Sequence, residues 1–258
     1  MSEKKSEKKR LHLLDTIRGL SLIGMIFYHI SYDIPSVFNV YPGYMKTFTF
    51  NLVAQILRII FIFLSGYCAC MGKKTLKRGF IVTGAGLIIT LFTIIARFDA
   101  PIVYGILTFM GAAMILSVPF KKIINEKNGF VFLVVSMLFY LFTMHIHYRY
   151  FGFFDHVFFR FPEILYEASV PFSYITALFG LPGKGFLSSD YFPIIPWFFL
   201  YMSGFSFYTL FGAKLKEAKI MKLKIEPAAF LGRYSLWVYM LHMPIVTGIL
   251  YLIAYLIK

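Results

Sequence analysis

The sequence predicts an all-α fold: a polytopic transmembrane helix bundle of about seven spans, with its N-terminus in the cytoplasm. Three observations lead there. Hydrophobic residues make up 59% of the chain and charged residues only 15%, with a mean hydropathy of +0.73. A soluble domain carries about 25% charged residues. Apolar stretches recur at close to the ~20 residues that a helix needs to cross a bilayer. Positive charge gathers in alternate loops.

The predicted spans are Leu13–Ile34, Asn51–Met71, Phe80–Ala96, Ile102–Pro119, Phe130–Tyr148, Phe192–Phe211 and Leu231–Ile257. They are too long and continuous for barrel strands. The stretch Ile164–Leu181 is apolar in parts but carries Glu167, Pro171 and Gly180. It reads as a re-entrant or interfacial segment, with an eighth span as the alternative. No polar linker divides the chain, so residues 1–10 form a basic cytoplasmic tail and 11–258 a single transmembrane domain.

A net charge of +14 raises nucleic acid as a partner. The distribution of that charge points to a bilayer instead. The tail, Lys73–Arg78, Lys121–Lys127 and Lys214–Lys224 together hold seventeen of the 26 Lys and Arg. In a seven-span chain all four segments fall on one side, as positive-inside topology requires. Basic loops of this kind sit beside anionic headgroups and attract polyanionic cytosolic ligands. No nucleic-acid partner is expected, and the chain is expected to be integral to a bacterial plasma membrane. The first span is long and carries Arg18, His29 and Asp33, unlike a cleaved signal. Cys68 and Cys70, two residues apart on one helix, face different ways and are expected to be packing residues.

Ionisable side chains within a bilayer are costly and mark functional candidates. Asp15, Arg18, His29 and Asp33 fall within about 60° of helical arc, at about 100° per residue. They form one polar stripe. Arg18 and His29 are about 16 Å apart along a helix, so Arg18 lies near the cytoplasmic face and His29 past the midplane. Asp33 follows His29 at the i,i+4 spacing at which side chains meet. A carboxylate that orients an imidazole is the usual support for a general base. A buried ion-pair network joining helices would use the same residues. Asn51, Gln55 and Arg58 share a face of the second span, and an Arg at that depth needs a carboxylate or an anion. Asp33 is its expected partner. Asp190 precedes the sixth span as a cap or a ligand residue, beside Tyr191 and Trp197. His242 lies near mid-membrane on the last span, followed by Pro244. No metal-ligand spacing, phosphate loop or dinucleotide fingerprint is present, and no metal is expected.

The motifs together resemble a known family. Leu14-Asp15-Thr16-Ile17-Arg18-Gly19-Leu20 with His29 and Asp33 resembles the first span of the heparan-α-glucosaminide N-acetyltransferase-like family, related to the acyltransferase-3 proteins. Arg58 with Phe61–Gly66 is similar to its second span, and Tyr104-Gly105-Ile106-Leu107 with Gly111 to its Gly-Ile-Leu-His span. Ser189–Trp197 is similar to its Asp-Tyr-Phe-Pro and Pro-Trp motif, and Gly232–Leu236 through His242 and Pro244 to its last span. One departure is Thr108, where the pattern has a histidine.

The resemblance implies acetyl transfer from cytosolic acetyl-CoA, as co-substrate, to a saccharide or glycan acceptor on the outer side. It implies His29 as general base or acyl carrier, Asp33 as its orienter, and Arg58 at the developing oxyanion. Arg18 and Asp15 would serve the donor, and Asp190, Tyr191, Trp197 and His242 the acceptor. A transporter of a small anion or lipid-linked substrate, or a membrane scaffold or sensor, are the competing readings of the stripe. The absence of inverted repeats weighs against a transporter.

Overall fold

A computed structural model describes residues 11–257, apart from 39, 41–42, 97–99, 154–155 and 168; the basic tail lies outside the described residues. In chain order the helices are α1 (His12–Phe38), α2 (Phe48–Met71), α3 (Thr75–Ile95), α4 (Ile106–Leu116), the short α5 (Phe120–Ile123) and α6 (Gly129–Thr143). A hairpin of β1 (Tyr150–Phe153) and β2 (His156–Arg160) follows, then α7 (Phe172–Leu178), α8 (Ile194–Glu217), α9 (Glu226–Arg233) and α10 (Ser235–Ile257). Among the described residues, six helical segments are long and apolar enough to cross a membrane: His12–Pro35, Phe48–Met71, Thr75–Ile95, Gly129–Tyr148, Ile194–Glu217 and Ser235–Leu256.

The predicted span Ile102–Pro119 forms only the 11-residue α4, about 16 Å long at 1.5 Å per residue. Pro101 and Gly105 hold its approach out of helix. The chain nevertheless runs the length of α3. The Ile102 N–H donates to Thr93 Oγ1 near the end of α3, at 3.0 Å. Thr108 abuts Gly86, Gly111 abuts Thr83, and Ile115 abuts Gly79. The lead-in itself is irregular backbone, with Tyr104 in the left-handed region at φ 55°. Irregular backbone at membrane depth is stable only where protein satisfies it. Here Ser188–Phe192 does so. Ser188 Oγ accepts from the Val103 N–H at 3.0 Å, and the Phe192 N–H donates to the Tyr104 carbonyl at 2.9 Å.

Cα-contact topology divides the chain into two compact units, one holding the chain up to Arg58 and from Ala213 on, the other Ile59–Gly212. In the second, α2 and α8 cross at backbone distance: Gly66 meets the Tyr201 carbonyl and Gly204 the Phe63 carbonyl. Lipid gives helices no hydrophobic drive to associate, so small residues that admit close backbone packing take that role. Further along, Cys70 Sγ lies 3.6 Å from Thr209 Oγ1. Beside the six long apolar helices among the described residues, Ile102–Leu116 is a shorter apolar segment that packs along α3.

The core of this unit is formed by Ile62, Ile106, Leu200, Tyr201 and Phe205, all fully buried. Ile164–Leu181 contains only the seven-residue α7 and adds no crossing. The predicted last span also divides. The chain leaves helical geometry at Tyr234, separating amphipathic α9, with Pro227 in its first turn, from α10. Pro at that position costs no hydrogen bond, because the N–H it lacks has no helical partner.

Candidate functional site

The unit that begins with α1 carries the polar stripe. Its N-terminal end is fixed by α9. A Cβ on Gly19 would fall 1.7 Å from the Ala228 carbonyl oxygen, and one on Gly232 1.8 Å from that of Asp15. Both positions therefore demand glycine. Thr16 Oγ1 accepts the Ile225 N–H at 3.3 Å and so holds the start of α9 against α1. Asp15 and Arg18 are half-buried beside this crossing. Arg18 makes no hydrogen bond or ion pair with a described residue, and a half-buried guanidinium in that state fits an anionic ligand group.

Toward the other end of α1, His29 faces His242 of α10, with ring centroids 5.3 Å apart and planes tilted by 48°. His29 is half-buried and His242 buried. His242 Nδ1 lies 2.8 Å from the Tyr239 carbonyl oxygen. A carbonyl can only accept, so Nδ1 carries the proton. Four residues beyond His29, Asp33 Oδ2 accepts from the Thr247 hydroxyl at 3.3 Å. The pairs His29–His242 and Asp33–Thr247 advance together, so α1 and α10 are parallel.

Arg58 lies near this pair but differs from expectation in its partner. Its Nε donates to the Ala54 carbonyl at 3.2 Å, its guanidinium carbon sits 6.0 Å from the Tyr28 ring centroid, and its charge acts directly on His29. Asp33 binds Thr247 instead of Arg58. The backbone of its own helix and an aromatic face satisfy the cation, leaving the carboxylate to α10. Asn51 is exposed and turned to its own loop, donating to the Met45 and Thr47 carbonyls at 3.2 and 3.0 Å. Tyr28 stacks on Phe50, with centroids 5.2 Å apart, and Tyr44 donates to the Ser31 carbonyl at 2.9 Å. These contacts lock the C-terminal end of α1 to the start of α2. Sequence reasoning passed over Tyr28 and Thr247. Their signals were available: Tyr28 adjoins His29, and Thr247 is a hydroxyl in the apolar run of α10.

His29, Asp33, Arg58, His242, Arg18 and Asp15 thus fall in one unit. Asp190, Tyr191 and Trp197 fall in the other, where each has an intramolecular partner. Asp190 Oδ2 accepts the Ile106 N–H at 3.1 Å. It therefore caps α4, where the expectation was its own following helix, and so takes an N-terminal amide that would otherwise lack a partner. The Tyr191 hydroxyl donates to the Ala177 carbonyl, and burial pushes its phenol above the ordinary range. Trp197 is buried between Phe192 and Tyr140, with centroids 5.3 and 5.9 Å away. Thr108 packs against Gly86, where a Cβ would lie 2.5 Å from its hydroxyl oxygen. That contact matches a small side chain at 108. Cys68 and Cys70 form no disulfide among the described residues.

A family model described as the catalytic region of heparan-α-glucosaminide N-acetyltransferase matches residues 10–244. No curated protein and no solved structure gave a significant match.

Proposed function

The chain belongs to the heparan-α-glucosaminide N-acetyltransferase catalytic family, and on that premise we propose that it is a membrane-bound acetyltransferase. It moves an acetyl group from cytosolic acetyl-CoA to a saccharide or glycan acceptor on the outer side of a bacterial plasma membrane. The family match, which runs through both compact units and treats them as one catalytic domain, is the observation that carries this reading. The positive-inside pattern supports a cytoplasmic N-terminus.

In this reading an acceptor hydroxyl or amine attacks the thioester carbonyl. The new C–O or C–N bond forms as the C–S bond breaks. His29 takes the acceptor proton and returns it to the departing CoA thiolate, so no proton is gained or lost. His29 suits the task by its position: it is half-buried on the outer half of α1, beside a second imidazole and within the field of a guanidinium. Arg58 can stabilise the negative charge that develops on the carbonyl oxygen. Asp33, held by Thr247, fixes this end of α1 against α10 and orients the site. Arg18 takes the anionic end of the donor, with Asp15 one turn before it as its positioning residue. His242 lies on the acceptor side of His29.

The test is direct. Purified protein in nanodiscs receives radiolabelled acetyl-CoA and a panel of amino- and hydroxyl-bearing saccharides. The expected result is label in a saccharide with stoichiometric release of CoA thiol. Release of neither label nor thiol across the panel, with acetyl-CoA bound, would overturn the reading.

A further inference from the structure

Between α6 and α8 the chain builds a small module outside the crossing segments: the β1–β2 hairpin and α7. The module turns apolar side chains outward. Every residue of β2 is exposed, on both faces of the strand. Phe158 is 67% exposed and Phe159 51%. On α7 and its cap, Phe172, Ile175 and Phe179 are exposed at i, i+3 and i+7, while Ser173 and Ala177 on the opposite face are buried. Such spacing gives a helix one apolar stripe. A protein surface in water rarely carries a contiguous apolar patch of this kind without a partner.

The identity of that partner follows from continuity. Val131 and Leu138 mark an exposed apolar face of α6, which lipid covers in a crossing helix. One turn further, Phe142 packs under the hairpin, with centroids 5.2 Å from Phe151 and 6.0 Å from Phe158. The lipid-facing surface of α6 therefore continues into the exposed face of the hairpin without a polar break. Arg149 and Arg160 flank the strands at the rim, both exposed, where they can meet phosphate. Depth is limited by the backbone. A two-stranded sheet has an open edge on each strand, and unpaired N–H and C=O groups cannot enter hydrocarbon. An isolated hairpin is also only marginally stable in water.

We propose that the hairpin and α7 form an interfacial anchor that lies on the bilayer. Its backbone sits at the headgroup level, and the Phe158 and Phe172 side chains enter the acyl boundary, about 5–10 Å deep as for an amphipathic helix. The anchor holds the loop between α6 and α8, and with it the Ser188–Phe192 segment that satisfies the approach to α4.

Spin labelling tests this. Single cysteines replace Phe158, Phe172 and, as an aqueous reference, Lys184, in a chain with Cys68→Ala and Cys70→Ala. The full-length protein is reconstituted in vesicles of phosphatidylcholine and phosphatidylglycerol. All three sites are exposed, so the variants should keep the parental thermal unfolding, and two independent apolar sites guard against one that does not. The expected result is collision with oxygen exceeding that with a polar nickel chelate at 158 and 172, and the reverse at 184, a several-fold difference in the ratio. Chelate access at 158 and 172 equal to that at 184 would place the module in water and overturn the proposal. Loss of access to both reagents would mean that protein, such as a second copy, covers the patch, and would overturn it equally.

Discussion

Replacing Gly204 with alanine tests how the crossing helices associate. The new Cβ would fall 2.0 Å from the Phe63 carbonyl oxygen, with the Phe63 carbonyl carbon at 2.8 Å. Ordinary contact begins near 3.4 Å, so α2 and α8 must part by about 1.4 Å. The obstacle is backbone and cannot rotate away. A radial gap of 0.5–1 Å already forfeits a quarter to a half of the dispersion well for each contact across it. The neighbouring Gly66–Tyr201 approach and the packing of buried Tyr201 and Phe205 lie along the same seam. Overpacking of this kind costs about 1–3 kcal/mol, occasionally more. Gly84→Ala is the matched control. It lies in α3 with nothing within 4 Å of its would-be Cβ, so the change should stabilise by about 0.5–1 kcal/mol through helix propensity alone. Thermal unfolding of both variants in one detergent decides it. Equal midpoints, or a more stable Gly204→Ala, would refute the close approach of α2 and α8.

Three further outcomes follow. Tyr166→Phe removes the 2.7 Å hydrogen bond from the Tyr166 hydroxyl to the Ile146 carbonyl and should cost about 0.5–1.5 kcal/mol by thermal unfolding, the net worth of one hydrogen bond, because that carbonyl keeps the Arg149 N–H at 3.0 Å. Burial pushes that phenol up to about 12, against a pull down from Arg149. The folded value exceeds the unfolded 10.0, so its contribution should be complete below pH 10 and fade as pH rises through 12, a trend absent in Tyr166→Phe. Arg18→Ala should raise KM for acetyl-CoA roughly ten- to hundredfold with little change in kcat, the loss of one charge-assisted contact of about 1.5–3 kcal/mol; steady-state kinetics separate the two constants. Cysteines placed at Lys219 and Lys184 should label from opposite faces of sealed vesicles, and labelling from one face would contradict seven crossings.

The crossing segments were legible in the sequence because length and hydropathy decide them locally. The stripe of α1 was legible for the same reason: Asp15, Arg18, His29 and Asp33 share a face by helical period alone. What escaped depends on partners distant in sequence. The irregular approach to α4 is marked locally by Pro101 and Gly105, but Ser188 and Asp190 satisfy its amides from more than eighty residues away, and that support is not legible in the local sequence. Asp33 was matched to Arg58 on charge, yet packing gave the carboxylate to Thr247 and the guanidinium to Tyr28 and a carbonyl of its own helix. Charge complementarity names the partners a group will accept; which of them is reached is set by helix register. The break between α9 and α10 was hidden because Leu231 adjoins the apolar run of α10, and the close approach of Gly232 to α1 shows what holds the turn there.

The central claim is that His29 handles the proton in acetyl transfer. The decisive measurement is the turnover of His29→Ala beside wild type at saturating acetyl-CoA, with thermal unfolding recorded on the same preparations. An imidazole general base contributes about 10²–10⁴ in rate, so the account predicts a fall of that order with unfolding and acetyl-CoA binding unchanged. Wild-type turnover in His29→Ala would contradict it, and a fall matched by an equal loss of folded protein would make His29 a strut between α1 and α10.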